Sequence, residues 1–308
     1  MLFLPPMTDV FYFDREAAGT LVAGANPYSH TFTSVPASLA TPGASGVFAY
    51  LPSTLLYLVP FYLMGDIRLG FVLADVVVGL LLSMQGGRWS LLAAAVYLMI
   101  PFTVVLSTIY LNNLLVAALF FSIFAALERR GRTTAGSVSL GFAMAASQLA
   151  WLVLPFAAYW YVRSGRRTSL LVMTLAAAVL VVPFLVWSPG GFFYSTFTFQ
   201  FSRPALALVS KVSPLGYNVN LSLDEVFITL FHVGLPAVLR IALTLLLLPL
   251  LLKGAKGFRS CVLRSSFFAA IVIFLLPNDL FWSYAELPLV AFLVFLASRE
   301  IPDFVRKH

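Results

Sequence analysis

Two carboxylates and a tight turn stand close together near the start of the chain, in the segment Thr8–His30, TDVFYFDREAAGTLVAGANPYSH. A carboxylate at a membrane–water boundary, beside apolar surface that raises its basicity, is suited to take a proton from a hydroxyl. Asp9 holds that place and Asp14 is the second candidate. Five residues apart on a helix, the two point about 140° away from each other. A plainer reading fits the same residues. Thr8 and Asp9 are good N-caps for a short helix over Phe11–Ala23, and Asn26-Pro27-Tyr28 is a turn signal in its own right.

Other chemistries find little to stand on. The three His, at 30, 232 and 308, have no metal-ligand spacing. The single Cys261 rules out an intrachain disulfide framework. Neither a Walker-type P-loop nor G-x-G-x-x-G is present. No cofactor is expected.

The elements that must position these residues are set by composition. Of the 308 residues, 61% are hydrophobic and 10% charged, against about 45–50% and about 25% in soluble domains. A soluble fold of this size has too little interior for that much apolar surface. Continuous apolar runs, without the period-two alternation of a barrel, predict an all-α polytopic membrane bundle. The runs are Leu69–Met84, Trp89–Ile100, Leu111–Leu127, Ala135–Val162, Ser169–Trp187, Val238–Leu252, Ser265–Leu276 and Leu280–Ala297. Ala135–Val162 would make about 42 Å of helix, too long for one perpendicular crossing of about 30 Å, and is read as two short helices meeting near Ser147–Gln148. Counting it twice gives about nine crossings.

Charge sets the orientation. Fourteen of the 19 Lys and Arg fall in five clusters between runs, beginning at Arg88, Arg129, Arg163, Lys253 and Arg299. Basic loops stay cytoplasmic, so the C-terminus is placed inside. Asp9, Asp14, Glu16, Asp66, Asp224, Glu225 and Asp279 then fall outside. The net charge of +7 is explained by topology without nucleic acid. Residues 1–66 read as an external loop with juxtamembrane helices, among them Gly46–Met64 as a juxtamembrane or re-entrant helix. Residues 67–298 read as the bundle, with an external loop over 188–237, and 299–308 as a cytoplasmic tail. The opening MLFLPPMTD is too short to span, and a membrane helix is expected to precede it.

Asp9, Tyr12, Gly24, Asn26, Pro27, Tyr28 and the later Tyr50–Pro52 together resemble the first external loop of GT-C superfamily glycosyltransferases. The resemblance is to the polyprenol-phosphate-mannose-dependent enzymes of glycosyltransferase family 87. Gly86-Gly87-Arg88 after a helix, and a helical hairpin with a polar apex at Ser147–Gln148, also look like that family. The resemblance is specific in residues 8–52 and covers most of the chain in layout. It implies a metal-independent enzyme whose sugar arrives on a polyprenyl phosphate, with Asp9 as base and Asp14 in reserve. It also implies roles in substrate binding for Tyr12, Asn26 and Tyr28, with the Asn26 turn shaping the loop, and for a polar residue at the place of Asn112 and Asn113. The departing lipid phosphate needs a cation. Arg240, which opens an apolar run, is the first choice, and Arg203 and Lys211 follow. The chain departs from the pattern in lacking the first helix, and in having Gln148 where relatives often have Lys.

Each of these residues also has a structural reading. Arg240 can be a snorkelling anchor, and Asn112 and Asn113 can cap a helix. Glu286, beside Trp282 and Tyr284, can bind sugar or belong to an aromatic belt. Asp75 is expected to bond a neighbouring helix. The alternating run Phe192–Phe201 reads as an interfacial strand, a platform for sugar and lipid, or a surface anchor. Asn220-Leu221-Ser222 is a glycosylation sequon on the outer side. The function expected is sugar transfer, with mannose the candidate sugar, from the lipid-linked donor to an external glycan, lipid or protein acceptor. The alternatives are a transporter or flippase, for which the internal repeats are missing, and a degenerate non-catalytic membrane protein.

Overall fold

The computed structural model describes residues 6, 8–36, 46–99, 113–199, 209–213, 216–219, 227–228, 230–232, 236–275 and 286–298. Its helices are α1 (Asp9–Val22), α2 (Pro52–Leu63), α3 (Arg68–Ser83), α4 (Ser90–Met99), α5 (Leu114–Arg129), α6 (Thr133–Met144), α7 (Leu154–Arg163), α8 (Arg167–Trp187), α9 (Pro189–Phe193), α10 (Ala237–Leu252), α11 (Phe258–Leu275) and α12 (Glu286–Ala297). One antiparallel hairpin, β1 (Val209–Ser213) and β2 (Gly216–Val219), lies between α9 and α10. Continuous apolar sequence forms helices because a helix satisfies its own backbone hydrogen bonds.

Two helices among the described residues, α8 and α11, are long and apolar enough to cross a membrane. The other apolar helices are shorter, so about nine crossings stays an expectation. Leu171, Leu175, Val179, Val182 and Val186 leave one face of α8 exposed, and Leu239, Leu245, Leu246 and Leu250 do so on α10. Apolar faces of this extent are surfaces for lipid or protein rather than for water.

The basic turns gather at one end of the bundle. Arg129 Nη1 donates to the Met84 carbonyl at 2.8 Å. Gly87 N–H donates to the Ala297 carbonyl at 2.8 Å. Arg166 pairs with Glu128 at 3.1 Å, and the Arg259 guanidinium lies 4.8 Å from the Phe295 ring centroid. Gly86, at φ +64°, makes the left-handed turn that ends α3 and lets Arg129 pack against it.

The opposite end is built around the α6–α7 apex. The long run does divide near Ser147–Gln148. Ser147 Oγ accepts from Leu149 N–H and opens the 3₁₀ turn Gln148–Val153, which leads into α7. Trp151 Nε1 donates to Met144 O, closing α6. The start of α2 docks there, with Ser53 N–H on Ala145 O at 2.9 Å and Thr54 Oγ1 on Ala146 O at 3.0 Å. With 12 residues, α2 is about 18 Å long and falls short of the hydrocarbon thickness. It packs on α1, α3, α5 and α8.

Two details differ from expectation and a third agrees with it. The alternating run from Phe192 is helical through Phe199, as α9 and then a π-helical turn over Tyr194–Thr198, and not a strand. Pro189 opens this helix and Thr196 Oγ1 bonds back to Phe192 O at 2.7 Å, both of which favour helix. Helix α11 begins at Phe258, so Arg259 and Arg264 lie within it. Arg68 pairs with Asp66 at 2.6 Å, while Asp75 reaches the neighbouring helix as expected and accepts from Tyr97 Oη at 2.7 Å.

Candidate active site

Helix α1 buries Phe11, Asp14, Ala17 and Ala18, a stripe at helical spacing with a carboxylate in its middle. The stripe seats α1 on α2, and at Gly19 the two approach so closely that a Cβ would lie 2.7 Å from the Tyr62 hydroxyl. Asp14 is fully buried. Asn113 Nδ2 donates to its Oδ1 at 3.1 Å, while Asp14 Oδ2 and Asn113 Oδ1 are both buried with no partner. Burial drives the Asp14 pKa well above the ordinary carboxylate range; the Asn113 hydrogen bond opposes this and the negative charge of Asp9 adds to it. Asn113 occupies the N-cap position of α5, yet its side chain makes no capping bond. The capping role open in the sequence is therefore not the one its carboxamide takes.

Asp9 is the first residue of α1, with Thr8 as N-cap, and is partly exposed. As the 140° offset implied, Asp9 and Asp14 occupy different faces. Tyr12 is half-buried, against the core that Phe11 enters. Beside Phe11 the Arg68 guanidinium lies 5.3 Å from the ring centroid. Asp66, though burial opposes it, is held below the ordinary carboxylate range by Arg68 and, more weakly, Arg15.

The loop after α1 is tied back in two places. Glu16 accepts from His30 Nε2 at 2.8 Å and from the Ser34 N–H at 3.0 Å. Partial burial would raise its pKa, but these hydrogen bonds prevail and lower it. Asn26 Oδ1 accepts from Tyr28 N–H at 2.9 Å, opening the 3₁₀ turn Pro27–Ser29. Tyr28 is itself buried among Phe48, Phe184 and Phe192, with its hydroxyl on Tyr50 O at 2.7 Å. Asn26 and Tyr28 thus shape the loop and join it to the Tyr50–Pro52 stretch. Gln148 Nε2 spans two carbonyls, Ala49 at 3.3 Å and Thr196 at 2.9 Å, and so links the hairpin apex to the segment before α2 and to the helix that follows α8.

The cation candidates are less gathered. Arg240 is buried in the first turn of α10, a helix packed on α11 and α7. Lys211 lies in β1. Asn112, Arg203, the sequon and the external acids Asp224, Glu225 and Asp279 lie outside the described residues, as does the side chain of Glu286. Among the described residues no three His, Cys, Asp or Glu are grouped to hold a metal ion. The sequence reading passed over Glu128, a buried acid at the basic end, although a lone acid directly before Arg129-Arg130 was the signal for it.

The chain matches no family model and no curated protein. Among solved structures it is similar to the crystal structure of ArnT from Cupriavidus metallidurans bound to undecaprenyl phosphate. The TM-score is 0.55 at 18% identity, over 96% of this chain and 55% of that one. This chain therefore spans about half the length of that protein. The likeness is one of fold.

Proposed function

We propose that the protein is a membrane glycosyltransferase that moves a sugar, with mannose the candidate, from a polyprenyl phosphate to an acceptor at the external or luminal face. Asp9 takes the proton of the acceptor hydroxyl. The hydroxyl oxygen bonds to the anomeric carbon as the bond from that carbon to the phosphate oxygen breaks, and polyprenyl phosphate leaves. Direct displacement inverts the anomeric carbon. The acceptor is a glycan, a lipid or a protein, and no cofactor takes part.

The observation that carries this reading is the place of Asp9. It is a partly exposed carboxylate at the first turn of α1, at the end of the bundle opposite the arginine-rich turns, in a fold shared with a protein that binds undecaprenyl phosphate. A base must reach its substrate, and Asp14, sealed and driven towards its neutral form, is poorly placed for the task. Tyr12 lines the same first turns of α1, and Arg240 is the proposed partner of the departing phosphate.

The test is transfer of radiolabelled sugar from polyprenyl-phosphate donors in membranes carrying wild type or Asp9→Asn. Loss of a general base is expected to lower the rate by about 10²-fold or more at unchanged expression. Equal rates would remove Asp9 from the mechanism. No transfer from any such donor would return the reading to a transporter.

A further inference from the structure

The buried contact between Asp14 and Asn113 holds more information than its one hydrogen bond. Asn113 Nδ2 donates a hydrogen bond to Asp14 Oδ1, and the two remaining oxygens, Asp14 Oδ2 and Asn113 Oδ1, are both acceptors sealed from solvent with no donor. Two lone acceptors on groups already joined at their other atoms are satisfied together by one proton. We propose that Asp14 is a protonated carboxylic acid, paired with the Asn113 carboxamide through two hydrogen bonds, and that this pair pins α1 to the start of α5.

The surroundings offer no better arrangement. Among the described residues, the charged groups on the elements about Asp14 are Asp9, Arg15 and Glu16 on α1 itself, Asp66 in the α2–α3 turn, Arg68 and Asp75 on α3, and Glu128 and Arg129 at the far end of α5; α2 carries no charge. Arg68 is bound to Asp66, Arg15 is exposed, and Glu16 is bound to His30 and Ser34. Asp9 is negative and disfavours a second charge nearby. A buried anion without a cation neutralises itself by taking up a proton, in agreement with the direction of the Asp14 pKa. The two residues are 99 positions apart, so the pair fixes a surface helix on the bundle. Asp14 is thereby a positioning residue: it sets the pose of α1 and of Asp9 at its tip. That last consequence rests on the function proposed above, while the pair itself does not.

Infrared spectroscopy of the purified, detergent-solubilised protein separates the two protonation states without reference to activity. The difference spectrum between wild type and Asp14→Asn at neutral pH should contain the carbonyl stretch of a protonated carboxylic acid, shifted by Asn113→Leu. A carboxylate band in its place would overturn the proposal. A second arm uses shape. In Asp14→Asn two carboxamides can form the same two-bond pair, so thermal stability should stay close to wild type. Asp14→Leu and Asn113→Leu keep the volume and lose the pair, and both should melt lower. Leucine variants as stable as wild type would refute the pin. In the transfer assay, Asp14→Asn should fall less than Asp9→Asn, and Asp14→Leu should lose more than Asp14→Asn. An Asp14→Asn loss as deep as that of Asp9→Asn, with the fold intact, would refute a neutral Asp14.

Discussion

Two acids, Asp14 and Glu128, are buried towards opposite ends of this bundle, and they are received differently. At the basic end, Glu128 Oε1 accepts from the Tyr161 hydroxyl at 3.1 Å and Oε2 from Arg166 Nη1 at 3.1 Å. The Tyr161 hydroxyl also lies 3.0 Å from Ser137 Oγ, and Arg166 is set over the Trp160 ring. Every oxygen has a donor, one donor is a cation, and four segments are joined. Asp14, at the other end, has one neutral donor and a negative neighbour. A buried acid given a cation and full hydrogen bonding serves as a joint; one given neither gives up its charge. Burial alone therefore does not tell what an acid is for. The atoms at its two oxygens do.

This contrast can be broken by substitution. The largest effect on stability should come from Glu128→Leu, which strands the Tyr161 hydroxyl and deprives Arg166 of its partner. A loss of about 3 kcal/mol is expected, moderated because Arg166 is 37% exposed. Thermal or denaturant unfolding in detergent measures it, and a variant as stable as wild type would contradict the joint. Next comes the same chemical change made at both ends. Glu128→Gln gives up a charge-assisted bond and should cost about 1–3 kcal/mol, whereas Asp14→Asn should cost well under 1 kcal/mol, because its partner expects a neutral group. Equal losses at the two positions would erase the distinction.

The smallest effect lies in pH dependence, where the outer acids oppose one another. Asp66 and Glu16 have lowered pKa values in the folded chain. Their stabilisation is full above the unfolded carboxylate pKa of about 4 and is lost as pH falls through the folded values. Asp14, with its pKa raised, acts the other way: stability falls as pH rises from about 4 towards its folded value. Asp66→Asn should flatten the acid limb of the stability curve by about 1 kcal/mol or less, since its side chain is 27% exposed. Asp14→Asn should flatten the limb on the alkaline side. Melting curves across pH for both variants show whether the two limbs separate.

Much of this arrangement can be read along the chain. The helical apolar runs, the gathering of arginines and the hairpin at Ser147–Gln148 follow from composition, charge and length. Even Asp14 is visible as an acid three residues from Phe11 and from Ala17 on an apolar stripe. What cannot be read is its partner. Asn113 is 99 residues away, and no local periodicity links them, so Asn113 reads equally well as a cap. The run from Phe192 misleads for a different reason. Its alternation has the period of a strand, but Gly191 packs against the Tyr28 carbonyl and Thr196 bonds back along the helix. Tertiary packing overrides pattern there. Asn26, Tyr28 and Gln148, read along the chain as substrate-binding residues, are in the structure the ties that hold its loops.

The meeting of Gly87 with Ala297, and of Gln85 with Ser298, also bears on how the molecule is assembled. Gln85 and Ser298 are 213 residues apart, so the α3–α4 turn waits through the synthesis of most of the chain for the helix that covers it. Neighbouring pairs such as α5 with α6 can form as they emerge, because closing a short loop costs little entropy. The basic end is sealed last, by a contact that only a fully inserted α12 can make. A chain stalled before that helix would carry its local hairpins intact and leave the backbone at Gly87 without the carbonyl it binds.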